Sequence, residues 1–181
     1  MNKYFLTVFG ILISFWLIGQ SPKKMIKKIG DKPVFFIDSV NVDESEMMKY
    51  SPEQIASVTV YKDNDAFELV GEEGRDGVIY IETKDFARAR YWNYFKKKSK
   101  EYSDLFITPE PNDKIQYILN DRILTNNFEG DLSMIDDTIF KEIKVIDKVT
   151  LEKEYKIKDK DFGVIITSDK PDNLYKAKKK F

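Results

Sequence analysis

Apolar and polar positions divide the chain into short segments whose period keeps changing, and the changes mark the elements. Val34-Phe35-Phe36-Ile37 is an unbroken apolar run closed by the turn-former Asp38, the pattern of a buried strand. Ser57-Val58-Thr59-Val60-Tyr61 alternates and predicts a second strand. Gly77 to Lys84, centred on Val78-Ile79-Tyr80-Ile81, predicts a third. Between the first two, Ser51-Pro52-Glu53-Gln54 has the makeup of a helix start: Ser51 can cap it, Pro52 fits its first turn, and Gln54 stands where a capping box places an amide. That helix is short, because the strand at Ser57 follows at once. Ala66 to Val70 predicts about one further turn of helix, and Gly71 to Gly77 predicts a loop with Asp76-Gly77 as its turn.

From Asp85 the spacing changes to three and four. Phe86, Ala89, Arg90, Tyr94, Lys98, Tyr102 and Leu105 recur with no proline or glycine between them. This predicts one helix of about five turns, aromatic on one side and basic through Lys96-Lys97-Lys98 and Lys100. Thr108-Pro109-Glu110-Pro111-Asn112-Asp113 then reads as a linker.

Beyond the linker the order recurs. Ile115 to Leu119 ends in Asn120-Asp121 as Val34 to Ile37 ends in Asp38-Ser39. Asp136-Asp137 stands for Ser51-Pro52, and Glu142 to Ile146 for Ser57 to Tyr61. Gly163-Val164-Ile165-Ile166 answers Gly77-Val78-Ile79-Tyr80, with the offset drifting from 82 to 85 to 86. An internal duplication follows: an α+β fold of two β-α-β modules in tandem, over 21–84 and 114–175, joined by an aromatic-rich helix over 85–107 and the linker 108–113. The competing reading is one continuous, non-repeating sheet.

Ahead of the first module, Lys3 precedes an apolar stretch from Phe5 to Ile18 broken only by Thr7, Gly10 and Ser14. A membrane-crossing helix needs about 20 such residues. The stretch is therefore read as a secretory signal over 1–20, cleaved before Gln20, with a retained anchor as the alternative. The absence of cysteine excludes disulfides, thiolate metal sites and a lipid-bearing cysteine.

Charge adds little: 30 Lys and Arg against 31 Asp and Glu give no general attraction to nucleic acid, and no nucleic-acid partner is expected. The lack of both His and Cys removes the usual general base, thiol nucleophile and zinc ligands. The chain is accordingly read as non-enzymatic, with no catalytic, cofactor-binding or metal residue. A carboxylate-dependent hydrolase of envelope glycans is the alternative, since paired acids can cleave a glycosidic bond. Against it, the acids cluster in turns and caps: Asp43-Glu44, Asp63-Asn64-Asp65, Asp136-Asp137, Asp159 and Asp161. The glycines of 71–77 do not make a phosphate loop, because Glu72 and Glu73 would repel the anion.

One surface candidate remains. If Phe86, Tyr94 and Tyr102 face a core, then Arg90, Tyr91, Trp92 and Phe95 form a second, aromatic and basic face, the candidate partner contact. The other reading packs this helix between the two modules with both flanks buried. The basic tail over 176–181 is read as solvated, or as a peripheral contact with anionic membrane headgroups.

Three segments in order carry a resemblance. Val34-Phe35-Phe36-Ile37-Asp38-Ser39-Val40-Asn41-Val42 resembles the "YVIDGVPV" strand and turn of plug domains, which fill the barrels of TonB-dependent outer-membrane receptors, especially the starch-utilisation type. Ser51 to Asp63 resembles their "NPxDIESVEVLKD" stretch, and Gly71 to Lys84 is similar to "YGxRGxNGVIxITTK". The resemblance covers 33–84, and 115–170 matches as a degenerate second copy. It implies plug-like modules at the periplasm or the periplasmic face of the outer membrane, binding or scaffolding an envelope protein, with no catalytic residues to carry over. Transport is not implied: a barrel needs many strands of about 10 residues, whereas a second module follows here. Asp38-Ser39 also stands where the family has Asp-Gly.

Overall fold

The computed structural model describes residues 31–170; the Phe5–Ile18 stretch, the cleavage site before Gln20 and the basic tail lie outside them. Strands β1 (Val34–Ile37), β2 (Val40–Val42), β3 (Ile55–Tyr61) and β4 (Val78–Thr83) form one sheet in the order β2-β1-β4-β3. Strands β5 (Ile115–Leu119), β6 (Arg122–Ile123), β7 (Phe140–Asp147) and β8 (Phe162–Ser168) form another in the order β6-β5-β8-β7. In both, the two central strands run parallel and each outer strand is antiparallel to its neighbour. The fold is α+β with two modules of one topology, and the single continuous sheet is excluded.

The likeness extends to backbone detail. Each first hairpin turns on two residues in the left-handed region, Asp38 and Ser39 (φ 51° and 70°) and Asn120 and Asp121 (φ 47° and 65°). That is what a two-residue turn between right-twisted strands demands, and Asp and Asn tolerate it without glycine. Each third strand shifts register near its start, between Ile55 and Ser57 and between Phe140 and Glu142.

The register corrects one part of the expected correspondence. Ile37 pairs with Ile81, and Leu119 with Ile166; Val58 also pairs with Ile81, and Ile143 with Ile166. The equivalent of Ile81 is thus Ile166, an offset of 85, so Gly163 answers Val78 and not Gly77. The shared Gly-Val-Ile letters draw the alignment one residue off, which would exchange the two faces of the strand. The offset is 82 up to the end of the second strand and 85 from the next helix onward, because the three extra residues lie in the loop between β6 and that helix.

The helices are α1 (Glu44–Met47), α2 (Asp63–Val70), α3 (Lys84–Lys98), α4 (Lys100–Leu105), α5 (Glu129–Ser133) and α6 (Lys148–Tyr155). Pairs α1/α5 and α2/α6 are equivalent. Helix α2 runs longer than the expected single turn, and Gly71–Asp76 is a 3-10 helix instead of an open loop. Gly74 lets that segment lie against α2: a Cβ there would come within 2.5 Å of the Ala66 carbonyl oxygen.

Core positions repeat as well. Phe35, Ile37, Met47, Ile79 and Ile81 pack together in the first module; Tyr117, Leu119, Leu132, Val164 and Ile166 are their counterparts in the second. The second core adds Tyr91, Phe95, Tyr102 and Phe106, from α3, α4 and the residue after it. The helices are therefore part of the second module. Their buried stripe is Ala87, Tyr91, Phe95 and Tyr102, one position away from the expected Phe86 and Tyr94, which are only partly buried. Nor is there one helix. Ser99 is extended (φ −140°, ψ 121°) and its Oγ accepts the Tyr102 N–H at 3.1 Å, which starts α4. Lys96-Lys97-Lys98 falls in the last turn of α3, where positive charge suits the helix dipole. The lysine run closes a helix instead of lying within one.

Candidate functional site

Helix α3 leaves the first sheet directly at Thr83, whose Oγ1 accepts the Phe86 N–H at 3.2 Å and caps it. That start aims Arg88 and Trp92 at the second module and Arg90 back at the first. Arg90 pairs with Glu82, a carboxylate only 5% exposed, and Ser57 and Ser133 each donate to Glu82 Oε2 at 3.3 Å. Beside this cluster, Gly130 of α5 packs on the Ala56 carbonyl, closely enough that a Cβ would lie 2.5 Å from its oxygen. Glu82, Arg90, Ser133 and Gly130 thus form the seam between modules. A shallow cleft of about 420 Å³ opens next to it, lined by Ser57, Thr59, Tyr61, Tyr80 and Arg90. Burial, then the neighbouring Tyr80 and Glu82, push the Tyr61 hydroxyl pKa upward.

The larger cavity, about 660 Å³, lies on the other side of α3, walled by the segment after α4 and the β5–β6 hairpin. Trp92 donates its indole N–H to the Phe106 carbonyl at 2.7 Å, which fixes two aromatic walls. Phe128 and Ile123 supply further apolar surface, and the buried Tyr91 and Tyr117 border it. Both tyrosine hydroxyls are held protonated far above the ordinary range, chiefly by burial. At the polar end stand Arg88 and Glu129, the latter 9% exposed. Arg88 donates to Asp85 at 2.8 Å and reaches Glu129 Oε1 at 3.5 Å. Glu129 Oε2 is buried, and no described residue bonds it.

These positions divide the candidate contact set. Tyr91 (4% exposed) and Phe95 (0%) belong to the second core and present no free surface. Arg90 and Trp92 line different cavities on opposite sides of the helix. Sequence reasoning missed Glu129. Its repeat counterpart Glu44 is exposed, as an acid in a first helical turn should be. Glu129 is buried because α3 lies across α5, a tertiary contact that no local pattern records. The buried carboxylates Glu82, Glu129 and Asp131 each face an arginine: Arg90, Arg88 and Arg122. Chemically the larger cavity joins an aromatic wall, Trp92, Phe106 and Phe128, to a lining rich in charged and polar side chains.

No family model, curated protein or solved structure matches the chain.

Proposed function

We propose that the chain is a non-catalytic, plug-like binding or scaffolding protein of the bacterial cell envelope, exported by the Phe5–Ile18 segment. The observation that carries the reading is the 660 Å³ cavity beside Trp92. It lies within the size range of ligand sites, about 300–1,000 Å³, and joins an aromatic wall to a lining as much polar and charged as apolar. Supporting it, the buried carboxylates Glu82, Glu129 and Asp131 are each engaged by an arginine: Arg90, Arg88 and Arg122. The resemblance of the strand and turn motifs of 33–84 to plug domains supports an envelope role.

Fractionation of the native cells tests this. The chain is expected in the periplasmic or outer-membrane fraction, and Leu12→Arg with Ile13→Arg should abolish export, since each charge costs about 2.5–3.5 kcal/mol in an apolar helix centre. A cytosolic wild-type chain, or a double variant exported as before, contradicts the proposal.

A further inference from the structure

We infer that a second copy of the chain pairs with the outer strand of the first sheet, β3 against β3 about a two-fold axis, so that the first modules of the two copies share one sheet. Gly77 and Ile81 give their carbonyls to the β1 side, accepting the Val34 and Asp38 N–H at 3.0 Å. By alternation β4 turns the backbone groups of Val78 and Tyr80 to their β3 partners, Tyr61 and Thr59. Val58 and Val60 therefore point their N–H and C=O outward from the sheet edge, and no described residue bonds them. Such an edge invites another strand, and proteins ordinarily protect it with charge. The second module does so: its equivalent strand β7 carries Lys141, Glu142, Lys144 and Asp147, whereas the seven residues of β3 carry no charge. The difference continues on the next helix, where Phe67 and Leu69 of α2 are exposed and their counterparts on α6 are Glu152 and Glu154. Helix α5 closes the edge at Ala56 through Gly130, and the strand ends at Tyr61, so the open stretch is Ser57 to Tyr61 with Thr59 at its centre. A two-fold axis through Thr59 sets Thr59 opposite itself and Val58 opposite Val60, β-branched pairs that favour an antiparallel ladder. The same axis through its counterpart Lys144 would set lysine on lysine, so this pairing is open to the first module alone. That match of the strand to itself selects a second copy over an unrelated strand.

Because the chain has no cysteine, single cysteines report the pairing. Thr59 faces its copy at a non-hydrogen-bonded position, where Cβ atoms approach to about 4.5 Å, the upper end of the disulfide range. In the full chain purified from its cells, Thr59→Cys should give a disulfide-linked dimer on mild oxidation, and Lys144→Cys should not. Sedimentation of the wild-type chain should show a dimer at high micromolar concentration. Thr59→Lys should weaken that dimer at least about tenfold by opposing two like charges, with a melting curve confirming that the variant folds. The inference is overturned if the wild-type chain is monomeric up to about 1 mM, or if Thr59→Lys sediments as wild type does. It is equally overturned if Thr59→Cys forms no more homodimer than Lys144→Cys, whether it stays unlinked or joins a different protein.

Discussion

Asp38 holds Thr83 through both of its carboxylate oxygens, accepting the Thr83 N–H at 2.8 Å and its hydroxyl at 2.7 Å. The first turn of the first sheet is thereby tied to the point where its last strand becomes α3, since Thr83 Oγ1 also caps that helix. Asn120 makes the equivalent clasp in the second module, accepting the Ser168 N–H at 3.0 Å and donating to its carbonyl at 3.1 Å. Thr83→Val keeps the shape and removes both hydroxyl bonds. It should cost about 1–2 kcal/mol in urea unfolding; a variant within 0.3 kcal/mol of wild type, roughly the error of additivity, would show that the clasp stabilises nothing.

Phe95 and Trp92 are three residues apart on α3 and should respond differently. Phe95 is fully buried in the second core, and Phe95→Ala should cost about 3–5 kcal/mol. Trp92→Phe keeps an aromatic wall and loses the bond to the Phe106 carbonyl, so about 1–2 kcal/mol is expected. Equal losses in denaturant melts would contradict the division of α3 into a core stripe and a cavity wall.

How far the sequence predicts this structure depends on the range of the forces involved. The strands expected at 34–37, 57–61 and 77–84, the short helix started at Ser51–Gln54 and the repeated order rest on local periodicity and turn chemistry; they are found as β1, β3, β4, a 3-10 turn over Pro52–Gln54 and the second sheet. At Ser51 the backbone N–H donates to Gln54 Oε1 at 3.0 Å. The direction α3 faces is not local. Tyr91 and Tyr94 are equally aromatic, and only the position of the second sheet decides that Tyr91 is buried. Glu129 has the same origin: an acid in a short helix is ordinarily solvated, and its burial comes from α3 packing across it.

Gly130→Ala should separate α5 from β3. Its Cβ would sit 2.5 Å from the Ala56 oxygen and 3.1 Å from that carbonyl carbon, both backbone atoms with little freedom to move. About 1–3 kcal/mol of destabilisation is expected. A thermal melt unchanged by the substitution would mean the modules do not meet through this seam.

Alkaline pH tests the tyrosine core. Burial raises the hydroxyl pKa of Tyr91, Tyr102 and Tyr117 above the ordinary value. The folded chain therefore keeps protons that the unfolded chain releases near pH 10. Stability from these groups is fully present below about pH 10 and falls as pH rises beyond it. Absorbance at 295 nm and circular dichroism recorded together should show these three ionising only as the chain unfolds. Ionisation of all tyrosines near pH 10 in a chain that stays folded would contradict the packing.

The claim that this is a binding protein working through the cavity beside Trp92 is tested most directly by photo-crosslinking in the living envelope, read out by intact mass. A photoreactive residue replaces Ile107, 75% exposed at the cavity rim, or Val149, 74% exposed on α6 and outside it. The account predicts a discrete added mass at Ile107 and none at Val149. An unmodified chain at Ile107, or the same adduct at both positions, would contradict it.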